Sequence, residues 1–258
     1  EAKKIAETDI KEVVLTGVNI GDFGQGGDEN FFGLVKELDK VTGIDRFRIS
    51  SIEPNLLSDE IISYCLSDAA RFVPHFHIPL QSGSNKLLKA MRRKYERELF
   101  ADRVNQIKSI LPDACIGVDV IVGFPGESDD DFMETVDFLK ELAISYLHIF
   151  TYSERANTTA IKLGDPVPMN IRKQRSQQLH ILSNKKKRAF YEENVGKMET
   201  VLFENENNDG YMYGFTANYV KIKTPYNEAL TNTFQKISMD EIDRDGLMKC
   251  TLLESVTA

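Results

Sequence analysis

The chain has few cysteines and no long apolar run, and both features limit the classes of protein to which it can belong. Its 258 residues include three cysteines, Cys65, Cys115 and Cys250. Their wide spacing fits neither a disulfide framework nor a metal knuckle, so we expect reduced, mostly buried thiols. No stretch is long and apolar enough to cross a membrane, and no signal peptide is recognisable. These absences predict a cytoplasmic protein.

Positive charge is also scarce, with 32 lysines and arginines against 40 acids and a net charge of −8. This balance argues against wrapping nucleic acid around the whole surface, although a local basic face remains compatible with it. The chain begins with Glu-Ala-Lys-Lys, without an initiating methionine. We therefore expect a piece of a longer protein.

The most informative stretch is residues 115–127. An apolar, β-branched run over residues 116–122 predicts a buried strand, and the glycines and proline of residues 123–126 predict a turn. Ser128 and the acids after it predict a helix start. Asp119 interrupts the strand and Glu127 closes the loop. From this loop alone, a buried acid satisfied by backbone and a helix-start glutamate explain the pattern as well as a ligand site does.

The same strand, loop and helix pattern recurs along the first 152 residues. It predicts parallel strands, in an open sheet or a barrel, near residues 13–16, 47–52, 75–80, 116–122 and 146–152. Because the loops after parallel strands meet at one rim, their polar residues should converge on a small ligand. These residues are Asn19, Glu53, Gln81 with Ser84, Glu127, and Ser153 with Arg155.

The rim loops argue against a nucleotide phosphate as the ligand. The glycine-rich loop at residues 17–24 lacks both the Lys-Ser/Thr pair and the spacing of the nucleotide fingerprints. The helix start at residues 128–131 carries three aspartates, which would repel a phosphate. Carboxylates there suit hydroxyls or an amine. A nucleoside-like ligand with an amino-acid end is chemically reasonable.

The character of the chain changes near residue 170. Residues 170–195 predict one long helix, whose segment 172–188 holds seven lysines and arginines and no acid. The segment is either a solvated face or a phosphate contact. Beyond Gly196, period-two alternation predicts short strands in a small closed barrel. One predicted strand face carries Tyr219, Lys221 and Lys223, either an ordinary solvent face or a strip that binds single-stranded nucleic acid.

Several segments closely resemble the radical S-adenosylmethionine (SAM) methylthiotransferases. They are residues 77–85 (His-Ile-Pro-Leu-Gln-Ser-Gly-Ser-Asn), 91–95 (Met-Arg-Arg-Lys-Tyr), 119–127 (Asp-Val-Ile-Val-Gly-Phe-Pro-Gly-Glu) and 150–155 (Phe-Thr-Tyr-Ser-Glu-Arg). Residues 15–21 and 48–54 look most like the subfamily that methylthiolates N6-threonylcarbamoyladenosine in tRNA. The last part resembles that family's RNA-binding TRAM domain. One departure is at residues 156–160, where Pro-Gly-Thr-Pro-Ala is expected, which leaves the shape of the last rim loop open.

The resemblance implies an α/β fold with a partial radical-SAM-type barrel of parallel strands over residues 1–169. A basic linking helix at 170–195 and a small all-β TRAM-like barrel at 196–258 would follow. In that family a CxxxCxxC loop holds a 4Fe-4S cluster that cleaves SAM, and an N-terminal domain holds a second cluster. Neither element occurs in this sequence. We therefore expect the C-terminal part of the enzyme, inactive alone, with tRNA and a sulfur donor as partners.

The resemblance also implies site residues, none of them catalytic or metal-binding. The predicted SAM-binding residues are Asn19, Glu53, Gln81, Ser82, Ser84, Arg93, Asp119, Gly123, Glu127, Phe150, Tyr152 and Arg155. Asn19 would lie near the methionine end, Arg93 would pair with its carboxylate, and Phe150 and Tyr152 would border the adenine. The predicted RNA-binding residues are Arg172, Lys173, Lys185, Lys186, Lys187, Arg188, Tyr219, Lys221 and Lys223.

Other functions stay open from the sequence. A non-catalytic RNA-binding scaffold fits the chain, and so does a methylthiotransferase that acts on another tRNA adenosine or on a ribosomal protein. An aldolase-type barrel enzyme would need a strand-end lysine for a Schiff base, and none of the five predicted strands ends in one.

Overall fold

The computed structural model describes residues 1–17, 19–155 and 158–253, without the side chains of residues 161 and 162. Its first unit is a parallel sheet. Its five strands lie in chain order and form an open half-barrel rather than a closed one. They are β1 (Glu12–Leu15), β2 (Arg46–Ile49), β3 (Phe72–Gln81), β4 (Cys115–Val122) and β5 (Tyr146–Thr151). The five predicted strands are confirmed. Of the two predicted alternatives, an open sheet and a barrel, the structure has the open sheet.

Helices connect the strands and cover one face of the sheet. They are α1 (Ala2–Ile5), α2 (Phe31–Asp39), α3 (Asp59–Ser63), α4 (Asn85–Ala90), α5 (Arg97–Ile110), α6 (Asp129–Glu141) and α7 (Met169–Glu192). Local sequence sets the start of α6, since Ser128 and Asp131 form a reciprocal capping box. Short 3-10 turns occupy Ile20–Asp22, Thr159–Leu163 and Glu228–Leu230, and a π-turn spans Tyr64–Asp68.

The core lies between the helices and the sheet. Alternate strand residues such as Phe47, Phe76 and Val118 are fully buried against helix residues such as Phe100 and Leu139. Burying one such large side chain contributes about 1.5–3 kcal/mol. The same alternation directs the intervening strand residues to the opposite face, and many of these are polar. The sheet therefore has one apolar face and one polar face.

The second unit is a closed five-stranded barrel, which confirms the small barrel predicted after Gly196. Its strands are β6 (Met198–Phe203), β7 (Tyr211–Thr216), β8 (Lys221–Pro225), β9 (Phe234–Ile242) and β10 (Met248–Leu252). Val201, Phe203, Met212, Ile222 and Met239 fill its interior. Among the described residues, no helix has the length and apolar character needed to cross a membrane.

Two buried arginines on the polar face of β2 join the barrel to the sheet. Arg46 donates to the carbonyl oxygens of Thr200 at 2.7 Å and Phe215 at 3.2 Å. Arg48 is 2% exposed, donates to the Ala217 carbonyl at 3.2 Å, and forms a two-point contact with the Glu12 carboxylate. The barrel thereby covers the polar face near the amino ends of the strands.

We expect Arg48→Ala to lower the free energy of unfolding by about 3 kcal/mol, because it leaves the half-buried Glu12 carboxylate and a barrel carbonyl without their donor. The measurement is urea denaturation of the chain. The matched control is Lys40→Ala, which removes an exposed pair with Glu37 and should cost less than about 0.5 kcal/mol. Equal losses in the two variants would contradict the structural role of Arg48.

Candidate functional site

The centre of the polar face carries two histidines and an aspartate from three adjacent strands. His77 Nε2 lies 2.6 Å from Asp119 Oδ1, and His148 Nδ1 lies 3.5 Å from the same oxygen. Asp119 and His148 are directly paired in the β4–β5 register. Burial alone would raise the pKa of Asp119, but the hydrogen bonds to His148 and His77 outweigh it and hold the pKa at about 2. Asp119 is therefore an anion that accepts from imidazole.

The rim above this group carries buried polar atoms without a hydrogen-bond partner in the described part of the chain. These atoms are Asn19 Oδ1, Asn55 Oδ1, Arg93 Nε and the Tyr152 hydroxyl. They follow β1, β2, β3 and β5 respectively. Buried polar groups are almost always satisfied, so orphaned atoms in loops after four of the five strands fit a polar ligand or ordered water at the rim. Asn19, Arg93 and Tyr152 belong to the predicted rim site, which stays a prediction.

A cavity of about 210 Å³ opens at the same rim, between the end of α4 and the exits of β4 and β5. Arg93, Ile121, Phe124 and Tyr152 line it. Phe124 and Tyr152 meet edge to face, with ring centroids 5.5 Å apart. The cavity combines flat apolar walls with a cation, which suits one ring system carrying a polar or anionic end. Arg93 NH1 also donates to Glu53 at 2.9 Å, so these two predicted residues contact each other.

Three predicted ligand contacts are corrected by the structure. The Ser82 hydroxyl lies 3.3 Å from Thr135 Oγ1, and the Ser84 hydroxyl donates to Asp131 at 2.9 Å, so both bind their loop to α6. Glu127 accepts from the Gly123 amide and from Arg175 NH1. All three residues are at most 7% exposed, and the cavity that Glu127 borders lies beside Arg175 and Pro168 rather than beside Arg93.

The remaining predicted rim residues differ in exposure. Phe150 is 53% exposed. Gln81 is buried and has a φ of 69°, an uncommon conformation for a non-glycine residue. Gly123 has a φ of 76°, and a Cβ there would lie 2.3 Å from Arg172 Cγ, so this turn requires glycine. Arg155 is exposed. The segment 156–160, where the departure from the family pattern left the shape of the last rim loop open, falls partly outside the described residues.

Some of the predicted RNA-binding cations contact carboxylates or carbonyls of the protein, and others have no such carboxylate partner among the described residues. Arg172 is 3% exposed and donates to Tyr152 O, Val167 O and Glu154, which corrects the prediction that it contacts RNA. Lys186 caps two carbonyls at the end of α6, Arg188 pairs with Glu192, and Lys223 pairs with two aspartates. Within the described residues, no carboxylate lies within 4 Å of the remaining cations, Lys173, Lys185, Lys187 and Lys221.

Some residues important to the site escaped the sequence prediction. His148 is paired with Asp119 in the β4–β5 register, and His77 is paired with Gly117, two residues before Asp119, so the signal is visible once the three strands are aligned. The sequence did not predict the contacts of Arg46, Arg48 and Arg175, because their partners are distant in the chain.

The three cysteines do not fit an iron-sulfur cluster. Cys65 belongs to the sheet core, Cys115 begins β4, and Cys250 lies in β10. Burial raises the pKa of Cys65 and Cys115 to about 12 and that of Cys250 to about 11, whereas a cluster needs thiolates. His77, Asp119 and His148 do have ligand atoms within 4.8 Å of one another, close enough for a metal ion.

Comparison with known proteins identifies the class to which this fold and rim belong. The model of the radical SAM superfamily matches residues 1–139, more than half of the chain. The solved coproporphyrinogen III oxidase of Escherichia coli, a radical SAM enzyme, superposes with a TM-score of 0.54 over 92% of this chain and 58% of its own, at 12% identity. That likeness concerns the fold alone. The chain belongs to the radical SAM superfamily and, by its relatives, to the methylthiotransferases within it.

The curated relatives define this narrower family. The threonylcarbamoyladenosine tRNA methylthiotransferase of Bacillus subtilis is 39% identical over 93% of this chain and 54% of its own length. The corresponding Aquifex aeolicus protein is 43% identical over 86% and 53%. The tRNA-2-methylthio-N6-dimethylallyladenosine synthase of Desulfitobacterium hafniense is 34% identical over 93% and 55%. The chain thus spans about half the length of these relatives.

We expect Asp119→Asn to change how stability depends on pH. Because the folded pKa of about 2 lies below the ordinary 3.8, the carboxylate stabilises the fold above pH 3.8, and this contribution is lost as the pH falls towards 2. The variant should therefore be less stable at neutral pH and lose less stability on acidification to about pH 3.

The measurement is thermal unfolding of both proteins at the two pH values. Asp137→Asn is the control, because that carboxylate is exposed and pairs only with Lys140 of its own helix. If Asp119→Asn and wild type lose the same stability on acidification, the imidazole contacts do not hold the charge.

Proposed function

We propose that this chain is the C-terminal part of a radical SAM methylthiotransferase that adds a methylthio group to N6-threonylcarbamoyladenosine next to the anticodon of tRNA. The observation that carries the proposal is an aromatic cavity on a radical SAM half-barrel that is lined by Arg93 and Tyr152, each with a buried polar atom that has no partner among the described residues. The names of the relatives support the reaction class. The proposed partners are tRNA and a sulfur donor, and the proposed cofactors are SAM and iron-sulfur clusters.

The residues present fit SAM. Arg93 has a buried Nε without a partner in the described chain, so it can donate to the carboxylate of the ligand while NH1 stays on Glu53. The Glu53 carboxylate and the amide oxygens of Asn19 and Asn55 are acceptors for an amine or hydroxyls. Tyr152 and Phe124 provide flat walls for the adenine. Bound SAM would supply the radical chemistry of the reaction.

A threonylcarbamoyl substrate is favoured over a dimethylallyl one by similarity. The two threonylcarbamoyladenosine enzymes are 39% and 43% identical to this chain, against 34–37% for the dimethylallyladenosine synthases. A dimethylallyl substrate is the second candidate. We also propose that the closed barrel acts as a TRAM-like RNA-binding domain, supported by its position beside the polar face.

The test is mass spectrometry of tRNA nucleosides from a bacterial strain that lacks the modification and expresses the full gene product containing this chain. We expect 2-methylthio-N6-threonylcarbamoyladenosine to accumulate, and Arg93→Ala to abolish most of it, since one charge-assisted contact to SAM contributes about 1.5–3 kcal/mol.

Lys94→Ala, an exposed neighbour of Arg93, is the matched control and should retain activity. Methylthiolation of dimethylallyladenosine instead would select the second candidate. A tRNA without either product would refute the proposed function.

The chain by itself should bind no iron-sulfur cluster, because its three cysteines, two buried and Cys250 half-buried, lie in separate places and have raised pKa values that keep them protonated. Anaerobic reconstitution followed by iron and sulfide analysis measures this. We expect no stoichiometric iron, and the same low background in the Cys65→Ser variant. A stoichiometric cluster that disappears in a cysteine variant would contradict this prediction.

A further inference from the structure

A second cavity lies away from the rim, where β5, α7 and the closed barrel meet. Its volume is about 230 Å³, and Tyr146, His148, Lys187, Phe215, Tyr219 and Lys221 contribute to its walls. We call it the junction pocket. It is too small for a helix or a duplex, and its size suits one base or a small nucleoside.

The walls of the junction pocket are fixed aromatic rings. Tyr219 stacks on His75 with centroids 4.1 Å apart and on Phe215 with centroids 4.7 Å apart. Tyr219 also has a φ of 66°, a conformation that a bulky residue adopts only when its surroundings enforce it. On the sheet side, the ring centroids of Tyr146 and His148 lie 5.2 Å apart. Because His75 and Phe215 cover the two faces of Tyr219, a base would stack on the other rings of the pocket wall, as nucleobases do on aromatic side chains without regard to sequence.

Two lysines from different elements converge on the pocket. Lys187 comes from α7 and Lys221 from β8, and within the described residues neither ammonium has a carboxylate within 4 Å. Burial lowers the pKa of Lys187, and the nearby Lys221 ammonium lowers it further. Two like charges held together at an aromatic pocket repel each other, and an anion between them would remove that repulsion.

Two cations next to these lysines on the same elements have partners elsewhere in the protein. Lys186 lies between Lys185 and Lys187 on α7, and its ammonium donates to the backbone carbonyls of Lys140 and Leu142. Lys223 lies two residues beyond Lys221 on β8 and pairs with Asp243 and Asp245. Lys186 and Lys223 are thus engaged away from the pocket, whereas Lys187 and Lys221 have no carboxylate partner among the described residues and lie over the rings of Tyr191 and Phe215, which line the pocket.

The junction pocket also adjoins the candidate site. His148 lines the pocket, and its Nδ1 atom lies 3.5 Å from Oδ1 of Asp119, which is at the centre of the polar face. One RNA could therefore reach the rim cavity and the junction pocket along the same face.

We propose that the junction pocket binds one unstacked nucleotide of single-stranded RNA, with its base among the aromatic rings and its phosphate between Lys187 and Lys221. This inference rests on the proposed function in one respect, that the substrate is RNA. It adds a second nucleotide site, distinct from the rim where the modified base would lie.

The test is fluorescence anisotropy of this chain with a labelled RNA hairpin that has an unpaired loop. Lys187→Ala and Lys221→Ala should each weaken binding about three- to fivefold and lower the salt slope by about one, because each removes one phosphate contact. The control is Lys249→Ala on the same barrel, whose ammonium pairs with Glu241 and should not affect binding. Thermal unfolding of each variant confirms that it is folded.

The base itself is tested by placing 2-aminopurine at each loop position in turn. At one position we expect its fluorescence to fall on binding, because stacking on aromatic rings quenches it, and to recover in the Lys187→Ala/Lys221→Ala variant. Lysine variants that bind like Lys249→Ala, or the absence of quenching at every position, would overturn the proposal. Neither of these binding results would change the mass spectrometry of tRNA nucleosides, which tests the proposed function. Failure of the mass spectrometry test would refute the proposed function and leave the binding results for the junction pocket as they are.

Discussion

The structure depends on the need to pair charges on the polar face of a parallel sheet. Alternation along each strand gives the apolar core to one face, so arginines, histidines and an aspartate collect on the other. A half-buried charge without a partner is costly. Arg46 and Arg48 are satisfied by barrel carbonyls, and Asp119 by two imidazoles. The same requirement thus joins the two units and organises the centre of the candidate site.

Sequence patterns were reliable where the physical cause is local. The apolar run at 116–122, the glycine turn after it and the Ser128 cap each depend on neighbours within a few residues, and the structure has all three. The closed barrel was likewise predictable from period-two alternation. The choice between an open and a closed sheet was not, because strand pairing at the sheet edges is a long-range property.

The site was predictable as a set of loops but not as a set of contacts. Seven cations without an acid between residues 172 and 188 look like one basic surface, yet a helix distributes successive residues over all its faces. Arg172 therefore meets Glu154, and Arg175 meets Glu127 and Asp129. Two of these acids come from rim loops and Asp129 from the start of α6. A local absence of acids does not indicate that the cations are unpaired.

Arg93 shows how a residue in an internal ion pair can still bind a ligand. Its contact with Glu53 uses NH1, while the buried Nε has no partner among the described residues. A guanidinium has five N–H donors in a fixed plane, so a second carboxylate can be bound without breaking the first contact. Glu53 would then fix the plane of the guanidinium before the ligand arrives, which lowers the conformational cost of binding. The pair therefore prepares the rim for a ligand with an amino-acid end rather than competing with it.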